Sequence, residues 1–159
     1  VDINDLASAE IVIDFDMPVR LTTAHPLVEE CVNQVAVERG PLVYCIETPD
    51  VETETLDSLL ISPSTQFTPV SYQIKDRMIT ALECELLCKK KASSGDLYET
   101  LEFDGFDKVK ARFIPYFAWD NRSAEDDGTY DVYAIEDKLD TPDDMEYDEM
   151  RIWLPVAYV

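Results

Sequence analysis

Apolar and polar residues alternate along much of the chain with the period of two that is typical of half-buried β-strands. In "EIVIDFDM" the odd positions from Ile11 to Met17 are apolar and mostly acids stand between them. This pattern predicts a strand with one wet face, which Pro18 ends. The stretch "KVKARFIPYFAWD" alternates in the same way and predicts a strand with one apolar face, formed by Val109, Ala111, Phe113, Phe117 and Trp119.

The residues around Gly40-Pro41 predict two strands joined by a turn. Residues 34–38 are better explained as a strand that follows a turn at 30–33, although the apolar spacing upstream would also suit a helix. After the Gly-Pro turn, the run from Leu42 to Glu47 is apolar on both faces. A run of this kind is typical of a strand in the centre of a sheet.

Three further stretches complete the predicted sheet. "LLISP" gives a short strand that Pro63 stops. "MITALECELLCKK" predicts a long strand, although a helix is not ruled out by the pattern, with one face formed by Met78, Leu82, Cys84, Leu86 and Cys88. "MRIWLPV" predicts a last strand with a single apolar side, formed by Met150, Ile152, Leu154 and Val156.

Six to eight short strands with polar connections and no long helical pattern predict an all-β protein, an antiparallel β-sandwich. The 159 residues suffice for one domain with a core. We expect a single sandwich unit over 1–159: N-terminal strands in 1–47, a loop and a short strand in 48–65, and the other strands in 66–159. The last part includes a long acidic loop at 123–149, which exceeds the usual length of a connection.

The formal net charge of −21 would repel phosphate backbones and anionic lipid, so we expect no nucleic-acid or membrane partner. No apolar run approaches the roughly 20 residues that cross a bilayer. The start carries acid where a signal peptide has bases, and Val1 stands where an initiator Met would be. We therefore expect a piece of a longer protein, and the sequence leaves its localisation open.

The residues that most often bind metals or act as nucleophiles form no recognisable motif in this sequence. Four cysteines occur without a CxxC pair, and Cys84 and Cys88 lie too far apart along a strand for a relaxed disulfide. His25 precedes a proline and is predicted to lie in a loop. The acidic run "EDDGTYD" does not match the offsets of an EF-hand loop. We therefore predict no metal site, no cofactor and no catalytic residue within this chain.

A cluster of aromatic and polar residues near "YFAWDNR" admits two interpretations. Exposed aromatic rings stack on sugars and neighbouring polar groups bind hydroxyls, so the cluster suits a carbohydrate surface. In the second interpretation Phe117 and Trp119 are core residues, on the same face as Val109 and Phe113. The candidate carbohydrate-binding residues are Trp119, Asp120, Asn121, Arg122 and, on the last strand, Trp153.

Four ordered motifs connect the chain to a known family. They are "MPVR" (17–20), "VAVERGPLVYCIE" (35–47), "IPYFAWDNR" (114–122) and "MRIWLP" (150–155). Together they resemble the C-terminal region of the β-L-arabinofuranosidase-type glycoside hydrolases, glycoside hydrolase family 127 and its relatives. The resemblance touches both ends of the chain. The chain departs from the family pattern after Arg122, where an acidic insertion replaces a short glycine-containing turn.

The resemblance implies a specific place for this chain in a larger enzyme. The family's catalytic unit is an (α/α)6 barrel that holds its nucleophilic cysteine, its glutamates and its zinc, and β-sandwich domains follow it. By this resemblance, the chain is a non-catalytic accessory sandwich that stabilises the upstream barrel or its oligomer. The alternative is a carbohydrate-binding module for arabinose-containing, plant-type glycans. The implied partners are the barrel, a second copy of the protein, and such glycans.

Overall fold

The computed structural model of the protein describes residues 12–53, 55–89, 105–121 and 149–159. Within these ranges the chain forms β-strands and short 3-10 turns, and no α-helix. No helix in this part of the chain is long and apolar enough to span a membrane. In chain order the strands are β1 (Val19–Thr23), β2 (Gln34–Arg39), β3 (Leu42–Glu47), β4 (Leu59–Leu60), β5 (Thr68–Ile74), β6 (Arg77–Lys89), β7 (Phe106–Pro115), β8 (Met150–Arg151) and β9 (Trp153–Pro155).

The strands form one curled sheet in which every strand pair is antiparallel. Its order is β1-β2-β3-β7-β6-β4, with β5 added to β6, β8 to β3 and β9 to β2. A parallel bridge at Ile61 joins the β4 end of the sheet to the β9 end. There Ile61 N–H donates to Pro155 O and Ile61 O accepts from Ala157 N–H, both at 2.9 Å. The predicted all-β, antiparallel class is confirmed, and the curl is consistent with a β-sandwich.

Each face of the sheet carries an apolar cluster. The main core lies on one face and includes the fully buried side chains Val37, Tyr44, Ile46, Leu56, Leu59, Ile61, Leu82, Leu86, Phe113 and Leu154. The second core lies on the other face and is smaller, with Cys45, Ile74, Ala81, Ile114 and Ala118 as its buried residues. Successive residues of a strand point to opposite faces. Neighbours such as Phe113 and Ile114 therefore belong to different cores.

The Gly40-Pro41 turn has the backbone geometry that its sequence predicts. Arg39 pairs with Leu42, so the turn is a two-residue hairpin loop. Gly40 has φ +57°, and the ring of Pro41 holds its own φ near about −65°. These two values suit a type II′ turn, which favours glycine at its first central position. A Cβ atom on Gly40 would collide with the sulfur of Met17.

Arg20 ties the same turn to β1 and β2. Its Nε donates to Glu38 Oε2 at 2.9 Å and its Nη2 donates to Gly40 O at 3.1 Å. The hydrogen bond from Arg20, followed by one from Thr22, holds the pKa of Glu38 below its usual value. Gly40 N–H donates to Pro18 O at 3.2 Å. These contacts bring two of the four sequence motifs together, and we call Met17, Pro18, Arg20, Glu38 and Gly40 the hairpin junction.

The strand predicted in "EIVIDFDM" is not formed in the described residues. Residues 12–18 have no regular secondary structure, and Ile13 and Phe15 are 69% and 73% exposed; Glu10 and Ile11 lie outside the described ranges. Alternation indicates which face a strand would bury, but it does not supply a neighbouring strand to pair with. Regular pairing begins only at Val19, opposite Arg39.

The sequence predicted that the apolar residues of the last segment share one side of the sheet. The structure shows that they do not. Met150 and Ile152 pack against the second core, whereas Leu154 and Val156 pack against or belong to the main core. The reason is that β8 pairs with β3 and β9 pairs with β2, with a bend at Ile152 between them. The segment therefore crosses from one face of the sheet to the other.

The strands predicted at residues 34–38, 42–47 and 78–88 are confirmed, and the short strand predicted in "LLISP" is confirmed at Leu59–Leu60. One strand was missed. β5 forms a hairpin with β6 through a turn at Lys75-Asp76, where Lys75 adopts φ +52°. Among the described strands β5 pairs with β6 alone, so no described strand pairs with its outer edge.

Candidate functional site

The aromatic cluster follows directly on the end of β7. Pro115 is paired with Tyr44, and a 3-10 turn over Tyr116–Ala118 then leads to Trp119, Asp120 and Asn121. We call residues 116–121 the aromatic loop. Ala118 is buried in the second core and anchors the loop to the sheet.

The 3-10 turn argues against the interpretation of Phe117 and Trp119 as core residues. It breaks the period of two, so Phe117 and Trp119 do not continue the buried face of β7. Phe117 is 60% exposed and Trp119 is 42% exposed. The prediction that they share a core face with Phe113 is therefore wrong.

Two of the exposed rings stack on each other. The centroids of Tyr116 and Trp119 lie 5.9 Å apart and the ring planes differ by 10°. Trp119 N–H donates to Tyr116 O at 3.2 Å, which fixes the spacing of the two residues. Tyr116 is itself 44% exposed. The loop therefore presents a preformed aromatic surface to its surroundings.

The polar groups next to these rings hold the loop itself. The buried carboxylate of Glu47, at the end of β3, accepts a 3.1 Å hydrogen bond from Asp120 N–H. Asp120 adopts φ +55°, a conformation in which Asp and Asn are enriched. The Asn121 amide donates to Trp119 O at 3.0 Å and to Phe117 O at 3.4 Å. The sequence did not single out Glu47, although a carboxylate that ends an apolar strand is a signal of a buried polar contact.

A small cleft of about 240 Å³ separates the aromatic loop from the β5–β6 turn. Its walls are apolar, with Phe117 on the loop side and Ile74 and Ile79 on the hairpin side. Charged and amide groups stand around it, contributed by Lys75, Asp76, Arg77 and Asn121. A cleft of this size and lining suits a single inserted side chain better than a drug-sized ligand.

The remaining predicted site residues are distributed differently. Trp153 is half-buried in β9, opposite Ala36, and is not part of the aromatic loop. Arg122 lies outside the described residues. The structure thus brings Trp119, Asp120 and Asn121 together and places Trp153 on another element.

A second polar feature lies over the β6–β7 pair, and we call it the charged groove. It has a volume of about 970 Å³. The carboxylates in its lining are Asp50, Glu52, Glu83 and Glu85, and the cations are Lys108, Lys110 and Arg112. Hydroxyl and amide side chains from one loop and the start of β5 complete it: Ser62, Ser64, Thr65, Gln66 and Thr68. The sequence analysis did not identify this groove, because its parts come from five separate segments.

Arg112 is the central cation of this groove. Its Nη2 donates to Glu83 Oε1 at 3.1 Å, and its Nη1 lies 3.7 Å from Asp50 Oδ1. The Asp50 side chain is fully buried, whereas that of Arg112 is 32% exposed. The guanidinium carbon lies 4.3 Å from the centroid of the Tyr72 ring, a cation–π geometry. Three groups from three different elements therefore fix the position of one guanidinium.

Cysteine and metal chemistry receive no support from the described residues. None of the four cysteines, all of which lie in the described ranges, forms a disulfide. Burial, with a smaller effect from the Glu85 charge, raises the pKa of Cys84 to about 12, so it is a neutral thiol near pH 7. In the described ranges no group of three or more His, Cys, Asp or Glu side chains could hold a metal ion.

Comparison with solved structures finds similar folds with high coverage of this chain. A protein described as a glycoside hydrolase is 36% identical over 89% of the chain, with a TM-score of 0.67. A GH127 β-L-arabinofuranosidase from Geobacillus stearothermophilus T6 is 25% identical over 89%, with a TM-score of 0.66. A GH127 β-arabinofuranosidase is 29% identical over 90%, with a TM-score of 0.62. The chain covers only 20%, 18% and 18% of these proteins, respectively.

A search of curated proteins gives no match. The model of the glycoside hydrolase family 127 C-terminal domain matches residues 19–137. This range holds two of the four motifs in full, "VAVERGPLVYCIE" and "IPYFAWDNR", and the second half of "MPVR", and it includes the aromatic loop. The chain therefore belongs to glycoside hydrolase family 127, as the C-terminal domain of that family.

Proposed function

We propose that this chain is the non-catalytic accessory sandwich of a glycoside hydrolase, and that the aromatic loop docks on the rest of the enzyme. The observation that carries the proposal is the exposed Tyr116–Trp119 stack with Phe117 beside it. Exposed aromatic rings that are rigidly held are typical anchors of protein interfaces. The solved relatives are about five times longer than the chain, so in such proteins the domain has a large neighbour.

The internal hydrogen bonds of the loop favour docking over the binding of a soluble sugar. A sugar site needs polar groups that are free to bind hydroxyls. Here the Asn121 amide donates to two backbone carbonyls of the loop, and Glu47 accepts from the backbone of Asp120. What the loop offers outward is apolar ring surface together with the exposed side chain of Asp120. The cleft beside Phe117 would receive one apolar side chain of the barrel.

The test is the stability of the parent enzyme. We expect Trp119→Ala to lower its melting temperature and to speed proteolytic release of the C-terminal domain, because the domain loses an interface anchor. Leu27→Ala is the matched control, since Leu27 is 84% exposed and lies in another loop. Equal behaviour of the two variants in the parent enzyme would refute docking through the aromatic loop.

Carbohydrate binding at the same loop is the second candidate function. The flat, exposed Tyr116–Trp119 stack favours it, because aromatic faces stack on sugars. In this proposal Asp120 and Asn121, both exposed beside the rings, would add hydroxyl contacts. Calorimetric titration with arabinose-containing oligosaccharides is the test. Saturable heat that disappears in a folded Trp119→Ala variant would support binding at the loop, and no heat would leave docking as the function.

For the parent protein, we propose hydrolysis of terminal L-arabinofuranosyl residues. The support is that two of the similar solved proteins are described as arabinofuranosidases. Catalysis and zinc would belong to a barrel outside this chain, and residues 1–159 would form one sandwich unit. Activity of the parent enzyme on aryl arabinofuranosides is the direct measurement, and cleavage of other glycosides alone would refute it.

A further inference from the structure

We propose that the charged groove binds a neutral oligosaccharide, at a site separate from the aromatic loop. The volume of the groove, about 970 Å³, falls within the range of ligand sites, about 300–1,000 Å³. It accommodates more than one sugar unit. The proposal goes beyond the docking function, because it concerns another part of the sheet.

The charges in the groove favour a polyhydroxyl ligand over an ion. Four carboxylates and three cations line it, so positive and negative groups nearly balance. An anion would meet the carboxylates and a cation would meet the lysines and Arg112. A hydroxyl can both donate and accept, so it can bind to either kind of group. The serine, threonine and glutamine side chains on one wall extend the same chemistry.

Arg112 supplies the specific recognition. A guanidinium has five N–H donors, and in the described part of the chain Arg112 makes one hydrogen bond, to Glu83. Its Nε is buried without a hydrogen-bond partner among the described residues. Asp50 is fully buried and only holds the guanidinium, so the groove offers a ligand the exposed part of Arg112, with its remaining donors, beside the half-exposed carboxylate acceptor of Glu83. Two neighbouring hydroxyls of a sugar would bind one donor and one acceptor of this group.

The arrangement is preformed rather than dependent on closure around the ligand. The Tyr72 ring supports the guanidinium from one side, and the buried Asp50 carboxylate holds it from another. On the opposite wall the loop is ordered by short side-chain bonds: Ser62 and Ser64 hydroxyls lie 2.8 Å apart, and Thr65 Oγ1 accepts from Ser62 N–H at 3.2 Å. A preformed site loses less entropy when it binds.

The experiment is a calorimetric titration of the 159-residue protein with an L-arabinofuranose trisaccharide and with xylotriose. The key variant is Arg112→Lys, which keeps a positive charge beside Asp50 but loses the planar set of donors. Arg20→Lys is the matched control, because Arg20 makes ion-pair and backbone contacts at the hairpin junction instead. We expect Arg112→Lys to weaken binding by about tenfold or more, and Arg20→Lys to leave it unchanged.

A second variant protects the test against misfolding. Among the described residues, the one ion pair of Glu85 is with Lys108, at a long distance of 3.5 Å. Glu85→Gln is therefore a mild change at an exposed position in the groove. We expect weaker binding there too, with an unchanged urea midpoint. Absence of binding to both trisaccharides would overturn the proposal. Binding that is lost in Trp119→Ala and retained in Arg112→Lys would also overturn it, and would place the sugar on the aromatic loop.

Discussion

The two faces of the sheet differ in how completely their apolar residues are covered. The main core is enclosed by the curl, and its largest side chains, such as Tyr44 and Phe113, are fully buried. The second core has five buried residues and is covered in part by the aromatic loop. Beyond its edge the same face carries the charged groove. One face therefore supplies most of the folding energy, and the other supplies both surfaces that we propose to be functional.

The largest change in unfolding free energy that tests this comparison should come from removing a comparable side chain from each core. Leu82 is fully buried in the main core, and Ile79, on the same strand, is only partly buried in the second. We expect Leu82→Ala to cost about 3 kcal/mol of unfolding free energy and Ile79→Ala about 1 kcal/mol. Urea denaturation measures both. An equal or larger loss at Ile79 would contradict the unequal roles of the two faces.

The hairpin junction should give the next largest effect. Gly40→Ala forces a side chain into positive φ and against Met17, so we expect a loss of about 2 kcal/mol in unfolding free energy. Gly105→Ala is the control. Gly105 also has positive φ, +92°, but a Cβ there meets no described atom within 4 Å. Equal losses measured by thermal denaturation would show that the contact with Met17 adds no cost.

The aromatic loop should contribute less to the stability of the isolated chain than to that of the parent enzyme. We expect Trp119→Ala to cost no more than about 1 kcal/mol in the 159-residue protein, because the ring is exposed and loses mainly its stacking on Tyr116. Chemical denaturation of both proteins gives the comparison. A loss above that value in the isolated chain would make the loop part of the fold rather than an interface.

The smallest expected effect is the pH dependence of the stability that the Arg20–Glu38 pair contributes. Arg20 lowers the pKa of Glu38 in the folded protein, so the pair stabilises the fold above the ordinary carboxyl pKa of 4.5. This contribution is lost as pH falls through the lowered pKa, because the carboxylate becomes protonated. We expect wild type to exceed Glu38→Gln in urea midpoint at pH 7, and the difference to vanish in acid. A difference that stays constant down to pH 3 would exclude the ion pair as its cause.

The sequence predicted those elements whose pattern is reinforced by a second local signal. β3 was correctly predicted because an apolar run follows a Gly-Pro turn, and β6 because its alternation extends over more than ten residues. "EIVIDFDM" has equally regular alternation but no pairing partner among the described residues, and it forms no strand there. Strand pairing depends on residues far away in the chain, which a local pattern does not contain.

The candidate site could be predicted only in part, because it too depends on residues that are distant in the chain. The composition of the aromatic loop identified its residues, but the 3-10 turn that exposes Phe117 and Trp119 depends on Ala118 fitting the second core and on Glu47 binding the loop backbone. The charged groove escaped the sequence analysis altogether. Arg112 and Glu83 are ordinary polar-face residues in their own strands, and only the register of β6 against β7 places them together.

The outer edge of β5, which no strand of the described residues covers, has a consequence for the handling of the protein. Unpaired backbone groups along an edge strand can pair with another chain and start aggregation. Pro69 lacks an N–H group to donate, and the net charge of −21 keeps molecules apart at neutral pH. Near the isoelectric point of about 4.1 that repulsion disappears. Acidification therefore favours β-rich aggregates that grow from β5, and colloidal stability rests on charge more than on shielding of this strand.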